Sequence, residues 1–278
     1  MRIKVTVSYD GTNYCGWQVQ KNGRSIQELL QRALETVLRH KISLTGAGRT
    51  DAGVHALGQT AHFDTEYKDF ARLLYSTNAL LPPDIRVLAF EEVSADFHAR
   101  YSAIGKEYHY HLQLDSISNP MLRLYRMPVF GSFDREALVD ASRLFLGTHD
   151  FCAFANKSGK ELTDSVRTLT RLDLVQEPGG VRLEFEGDGF LYKMVRNITG
   201  TLLEVAAKKR SLESIQSLLQ GEKRTFAGAA APPQGLFLME VKYFQKIQSR
   251  ERPLLKAQAG DDAKDRSIRE EPESALKL

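Results

Sequence analysis

The stretch SIQELLQRALETVLRHK, residues 25–41, is the clearest helix in the sequence, and the predicted fold is built outward from it. Its apolar residues recur every three or four positions, which is typical of a helix that packs with one face. They are Ile26, Leu29, Leu30, Ala33, Leu34, Val37 and Leu38. Ser25 and Glu28 have the spacing of a capping box, which predicts that the helix starts here.

Alternating apolar and polar residues predict strands on both sides of this helix. The order strand, helix, strand, strand, helix, strand is predicted over residues 3–8, 25–41, 42–48, 57–65, 69–81 and 84–93. It recurs over residues 107–114, 134–147, 167–176, 181–187, 190–209 and 235–244. A βαββαβ unit is ferredoxin-like, so we expect an α+β fold with two ferredoxin-like halves, 1–103 and 104–245. Residues 246–278 alternate in charge, and we expect a disordered tail there.

Composition excludes several classes of protein. The chain has 278 residues and a net charge of only +3, so a nucleic-acid partner would need a local basic surface. No apolar run is long enough for a membrane span, and the first residues resemble a strand more than a secretion signal, so we expect a cytoplasmic protein. Cys15 and Cys152 are far apart in sequence, which indicates neither a disulfide framework nor a zinc site. The histidines show no metal-binding spacing, so no metal is expected.

The segment GAGRTDAGVHALGQ, residues 46–59, carries Arg49, Asp51 and His55 among glycines. It matches neither phosphate-binding glycine motif and does not open a helix, so a nucleotide loop is not expected. Asp-Ala-Gly is good turn chemistry, and a charged hairpin tip would explain it. An ionised carboxylate beside a guanidinium is also what nucleophilic or acid–base chemistry requires. The residues alone leave both interpretations open.

Two further segments have a plain and a functional interpretation. Residues 96–110 interleave cations with Phe97, Tyr101 and Tyr108, which suits RNA but also an ordinary strand. Residues 187–200 begin a helix in which Arg196 lies off the apolar stripe. Arg196 is then either solvated or directed into a cleft between the halves.

Together with two other segments, these stretches resemble the tRNA pseudouridine synthase A family. The stretches are YDGTNYCGWQVQ (9–20), GAGRTDAGVHALGQ (46–59), DFHARYSAIGKEYHY (96–110), GTHDFCAF (147–154) and GFLYKMVRNITGTLLEV (189–205). The resemblance extends over about residues 3–244. It implies an isomerase that converts uridine to pseudouridine at positions 38, 39 and 40 in the anticodon stem-loop of tRNA. It also implies a homodimer without cofactor or metal, in which the sheets of the two halves meet around a basic cleft.

By this resemblance Asp51 is the catalytic nucleophile, since detachment of the base leaves C1′ electron-deficient. Whether Asp51 adds to C1′, adds to the base or removes a sugar proton stays open. Arg196 is expected to compensate its charge, Arg49 to hold the RNA, and Tyr108 to stack on the flipped uracil. His55 is expected to hold the loop.

The remaining RNA contacts implied by the resemblance lie in two short segments. They are Phe97, His98, Ala99, Arg100 and Tyr101, and Ser165, Val166, Arg167, Thr168 and Leu169. Two alternatives remain. A non-catalytic RNA chaperone could keep the same fold, and a glycosylase or deaminase would also flip bases, although a deaminase needs a zinc motif that this sequence lacks.

Overall fold

The computed structural model has five α-helices and ten strands among the residues it describes, which are 1–21, 23–156, 164–220 and 228–244. The helices are α1 (Ile26–Leu38), α2 (Phe70–Leu80), α3 (Arg135–Arg143), α4 (Met194–Ala206) and α5 (Leu212–Leu219). The strands are β1 (Arg2–Tyr9), β2 (Thr45–Gly46), β3 (His55–Asp64), β4 (Ile85–Val93), β5 (Ala103–Gln113), β6 (Met127–Pro128), β7 (Gly147–Asp150), β8 (Val166–Glu177), β9 (Gly180–Gly187) and β10 (Leu236–Tyr243). The predicted α+β class is therefore confirmed.

The strands form one mixed sheet of order β4-β1-β3-β10-β5-β9-β8-β7, with β2 paired to β3 and β6 paired to β5. Strands from residues 2–93 lie on one side of β10, and strands from residues 103–187 lie on the other. The last strand, β10, is parallel to β3 and antiparallel to β5. Where two sheets were expected, β10 makes one continuous sheet.

Helix α1 has the start and the buried face that its sequence predicts. The Ser25 hydroxyl accepts a hydrogen bond from the backbone N–H of Glu28 at 3.4 Å. The Glu28 carboxylate pairs with Arg32 at 2.6 Å. Ile26, Leu30 and Leu34 are completely buried, and they belong to the same hydrophobic core as Ile3, Val5 and Val7 of β1.

Several element boundaries differ from the prediction. Helix α4 begins at Met194 and not at residue 190, because Lys193 has a left-handed backbone with φ 61°. Helix α3 ends at Arg143, since residues 147–150 pair with β8 as the unpredicted strand β7. Strand β2 has only two residues, and α5 was not predicted; its eight residues are too few for a clear periodicity.

Three sequence expectations concern the chain as a whole. The tail predicted over 246–278 lies outside the described residues. Within the described ranges, no helix is both long and apolar enough to cross a membrane. Neither Cys15 nor Cys152 forms a disulfide in the part of the chain that the structure describes, and Cys152 is exposed.

We expect the substitution Leu34→Ala to lower the free energy of unfolding by about 2–5 kcal/mol, because it removes a completely buried side chain and leaves a cavity. The matched control is Thr36→Ala, on the exposed face of the same helix, which should change that free energy by less than about 0.5 kcal/mol. Urea unfolding followed by circular dichroism measures both. Equal losses in the two variants would contradict the packing of α1 described above.

Candidate active site

Loop 47–54 connects β2 to β3 and is held by its backbone from both sides. The N–H of Ala47 donates to the carbonyl oxygen of Thr60 at 2.8 Å, and the N–H of Trp17 donates to the carbonyl oxygen of Thr50 at 3.2 Å. A Cβ atom on Gly16 would lie 2.2 Å from that Thr50 oxygen, so only glycine permits this approach. The loop is therefore pinned between β3 and the segment after β1.

Side chains fix the same loop from three strands. The Tyr9 hydroxyl of β1 lies 2.8 Å from the Thr50 hydroxyl. Gln59 of β3 donates to the Gly48 carbonyl oxygen at 3.2 Å, and Lys106 of β5 donates to the Ala47 carbonyl oxygen at 3.1 Å. Such contacts are not expected for an exposed hairpin tip. They fix Thr50 and the residues before it, and so they orient Asp51, which follows Thr50.

Asp51 and Arg196 form an ion pair, with Arg196 Nη1 2.8 Å from Asp51 Oδ2. Their side chains are only 17% and 11% exposed, so the pair is largely withdrawn from water. Arg196 lies in the first turn of α4, and its Nε also donates to the carbonyl oxygen of Ala231 at 2.7 Å. The guanidinium is thus held at two points and presents a fixed positive charge to Asp51.

Tyr108 of β5 lies in the electrostatic field of this pair. Burial raises the pKa of its hydroxyl well above the usual range, and the neighbouring Tyr9 and the charge of Asp51 act in the same direction. The hydroxyl therefore stays protonated at neutral pH. The ring packs edge-to-face on Phe190 with centroids 5.1 Å apart.

His55 is at the start of β3 and is buried. Its Nδ1 accepts a hydrogen bond from the N–H of Gly11 at 3.1 Å, and its Nε2 lies 3.0 Å from the Leu124 carbonyl oxygen. Burial lowers the pKa of the imidazole, although Asp10 opposes that effect. A neutral ring with the proton on Nε2 satisfies both bonds, which connect the start of β3 to Gly11 and Leu124. The role of holding the loop stays a prediction.

Arg49 has a different environment from Asp51, although it is two residues away. Its side chain is exposed and makes no hydrogen bond or ion pair with any residue that the structure describes. A cation in this position is available to a ligand outside the protein.

The predicted RNA-contact segment 97–101 packs on His62 and Tyr243. The N–H of Ala99 donates to His62 Nδ1 at 3.1 Å, and the Tyr243 hydroxyl donates to the Ala99 carbonyl oxygen at 2.6 Å. Phe97 and His98 contact the His62 ring, with centroids 6.1 and 4.8 Å away. Arg100 and Tyr101 point outward and are exposed, with the guanidinium 5.7 Å from the centre of the Tyr101 ring.

The second predicted segment, 165–169, enters β8 beside the turn after β9. The N–H of Thr168 donates to the Asp188 carboxylate at 3.0 Å, and Arg167 lies against Gly189, next to Phe190. The backbone of Ser165 accepts from Phe151, Leu169 is buried, and Val166 is exposed. No hydrogen bond or ion pair in the described part of the chain joins these residues to Asp51. Their link to the site is Arg167, which lies near Gly189, the residue before the Phe190 that packs on Tyr108.

One group of possible metal ligands lies on the other face of β5. Ligand atoms of Glu107, His109 and Glu184 fall within 4.8 Å of one another. Arg171 lies 2.6 Å from Glu107 and 3.4 Å from Glu184, and Arg182 is also paired with Glu184. These carboxylates already have cationic partners, which disfavours a bound metal ion.

The fold and the site define an α+β protein with a largely buried carboxylate–guanidinium pair. The family model described as tRNA pseudouridine synthase matches residues 5–102 and 141–244. The chain belongs to this family. Asp51 and Arg196 lie inside the matched ranges, and Tyr108 lies between them.

Relatives from several bacteria match over most of their length. The chain is 54% identical over 244 residues to tRNA pseudouridine synthase A 1 of Protochlamydia amoebophila, covering 86% of this chain and 95% of the relative. It is 45% identical over 242 residues to tRNA pseudouridine synthase A of Acetivibrio thermocellus, covering 87% and 99%. The protein of that name from Citrifermentans bemidjiense is 46% identical over 246 residues, covering 88% and 98%.

Sequence reasoning missed Tyr9, Gln59 and Lys106 as parts of the site. Tyr9 continues the inward alternation of β1, and Lys106 is two residues before Tyr108 and so on the same face of β5. The alternation along a strand predicts which face of the sheet a residue occupies. The residues that it meets there depend on how the strands pair. Pairing of β1 with β3 and of β5 with β10 brings these residues to the loop.

Acidification should loosen segment 97–101 through His62. Burial first, then the charges of His98 and Arg2, lower the pKa of His62 to about 4. Because this pKa is lower in the folded protein than in the unfolded chain, the stability that depends on neutral His62 is complete above about pH 6.5. It is lost as the pH falls towards 4. His62→Asn keeps an acceptor for the Ala99 N–H but does not titrate. We therefore expect a smaller loss of unfolding free energy between pH 6.5 and 4 in this variant, measured by urea unfolding. An equal loss in both proteins would rule out His62 as the cause.

Proposed function

We propose that this protein isomerises uridine to pseudouridine at positions 38, 39 and 40 in the anticodon stem-loop of tRNA. The observation that carries the proposal is the buried pair of Asp51 and Arg196 in a chain of the tRNA pseudouridine synthase family. The reaction breaks the C1′–N1 bond, rotates the base and joins C1′ to C5; the C5 proton leaves and N1 gains a proton. Because the product is an isomer, the atoms balance without a cofactor.

Asp51 is the nucleophile in this proposal, and Arg196 keeps its charge compensated in a site withdrawn from water. A carboxylate held by a bonded guanidinium and a pinned loop keeps one orientation, so little reorganisation is needed when charge develops on the sugar or base. The same geometry serves addition to C1′, addition to the base or removal of a sugar proton.

The target uridine must leave its stack to reach Asp51, at a cost of a few kcal/mol. Tyr108 offsets part of this cost by stacking on the flipped uracil. Only 8% of Tyr108 is exposed, so stacking requires Phe190 to move off the ring. Its protonated hydroxyl is suited to donate a hydrogen bond to a uracil oxygen.

The RNA strand is held in this proposal by Arg49 and by the two segments 97–101 and 165–169. Exposed Arg49, Arg100 and Tyr101 offer cations for phosphates and a ring for a base. The resemblance further supports a homodimer in the cytoplasm. It also supports a division into halves 1–103 and 104–245 with a basic cleft between them.

Asp51→Ala should abolish isomerisation while changing the affinity for tRNA by no more than a few-fold, because the carboxylate acts on the reacting nucleotide and the cations hold the strand. The assay is release of tritium from tRNA labelled at uracil C5. The matched control is Asp140→Ala, which removes an exposed carboxylate paired with Arg143 on α3 and should retain full activity. Tritium release at the wild-type rate by the Asp51 variant would refute the proposal.

Tyr108→Phe should retain most of the affinity for tRNA, because the ring that stacks is kept, whereas Tyr108→Ala should weaken binding about 5- to 100-fold. Filter binding measures both, with Tyr75→Ala, an exposed tyrosine on α2, as the control. Urea unfolding of each variant separates lost stacking from lost folding. If Phe weakens binding as much as Ala does, the hydroxyl and not the ring makes the contact.

A further inference from the structure

The amine of Lys106 is a half-buried cation beside the Asp51 loop. Its Nζ donates to the Ala47 carbonyl oxygen at 3.1 Å, and it lies 2.5 Å from the place that a Cβ atom on Gly48 would occupy. Lys106 precedes Tyr108 by two residues on the same face of β5, about 7 Å along the strand. It therefore lies beside the loop, on the face of β5 that carries Tyr108.

No carboxylate of the described residues pairs with this amine. The loop presents the backbone of Ala47 and Gly48, while β10 and β9 place Val241 and Gly187 opposite Lys106. The adjacent Glu107 is on the other face of the strand and binds His109 and Arg171.

The charge that acts on Lys106 is a second cation, Arg100. Burial, and then the charge of Arg100, lower the pKa of Lys106 to about 8. An ammonium has three donors, and the hydrogen bond to the Ala47 carbonyl oxygen occupies one of them. A half-buried ammonium beside another cation is under-compensated, so an anion that reached it would be bound strongly.

We propose that the Lys106 ammonium binds one phosphodiester group of the RNA strand, at the target uridine or its immediate neighbour. A phosphodiester supplies one negative charge and acceptor oxygens for the two remaining ammonium protons, and it is the anion that an RNA substrate brings to this place. Glycine at position 48 leaves room for the amine, because a Cβ atom there would lie 2.5 Å from Nζ. The inference rests on the proposed function, because it requires RNA in the site.

Binding of tRNA as a function of salt and pH tests this contact. Lys106→Met should weaken binding about 10-fold and reduce the slope of log Kd against log[KCl] by about 0.7 to 1, since one phosphate contact is lost. Lys41→Met is the matched control, because it removes the same charge from an exposed lysine at the end of α1 and should change neither quantity.

The pH dependence separates a phosphate ligand from a purely structural lysine. Wild-type affinity should be constant below about pH 8 and fall above it, as the free amine loses its proton. Lys106→Arg should bind without this inflection, because a guanidinium does not titrate there. This variant also keeps the test valid if Lys106→Met fails to fold.

A single methylphosphonate beside the target uridine removes the charge of one phosphate. It should weaken binding of the wild type but not of Lys106→Met. An unchanged salt slope in Lys106→Met, or equal methylphosphonate effects in both proteins, would overturn the inference. Tritium release by the wild type is measured in parallel. Its absence would refute the proposed function, whereas its presence with an unchanged salt slope would refute the Lys106 contact alone.

Discussion

The 2.8 Å contact between Asp51 and Arg196 is the interaction on which the site depends. Its partners are 145 residues apart in sequence, and each would be a costly charge in this environment without the other. The attraction between the two charges offsets the cost of removing them from water only when their geometry is good and further hydrogen bonds satisfy both groups. Arg196 meets this condition through its second bond to Ala231. The loop that carries Asp51 is held by hydrogen bonds from Tyr9, Gln59 and Lys106.

Segment 229–231 connects this pair to the sheet. The N–H of Ala231 donates to the Arg196 carbonyl oxygen, while Arg196 Nε donates to the Ala231 carbonyl oxygen, so the segment is bound to the helix in both directions. Gly200, one turn later, permits the approach, since a Cβ atom there would lie 2.0 Å from the Ala229 oxygen. The chain then enters β10, which joins β3 to β5. One short segment thus supports the arginine and leads into the strand that makes the sheet continuous.

The electrostatics of the site follow from the same enclosure. Burial keeps the Tyr108 hydroxyl protonated and lowers the pKa of Lys106, because charge is poorly solvated in both places. The neutral Tyr108 hydroxyl and the Lys106 amine lie on the same face of β5. The largely buried pair of Asp51 and Arg196 thus contrasts with Arg49 and Arg100, whose side chains are exposed.

The sequence by itself determined the long amphipathic helix, the α+β class and the motif that carries Asp51, since these depend on periodicities and turn residues within short windows. It also indicated Arg196, but only as one of two interpretations. Tertiary structure alone decided that Arg196 reaches Asp51, that β10 unites the strands, and that Tyr9 and Lys106 belong to the site. Local patterns predict which face of a helix or strand a residue occupies. The residues that it contacts depend on how segments far apart in the chain pack together.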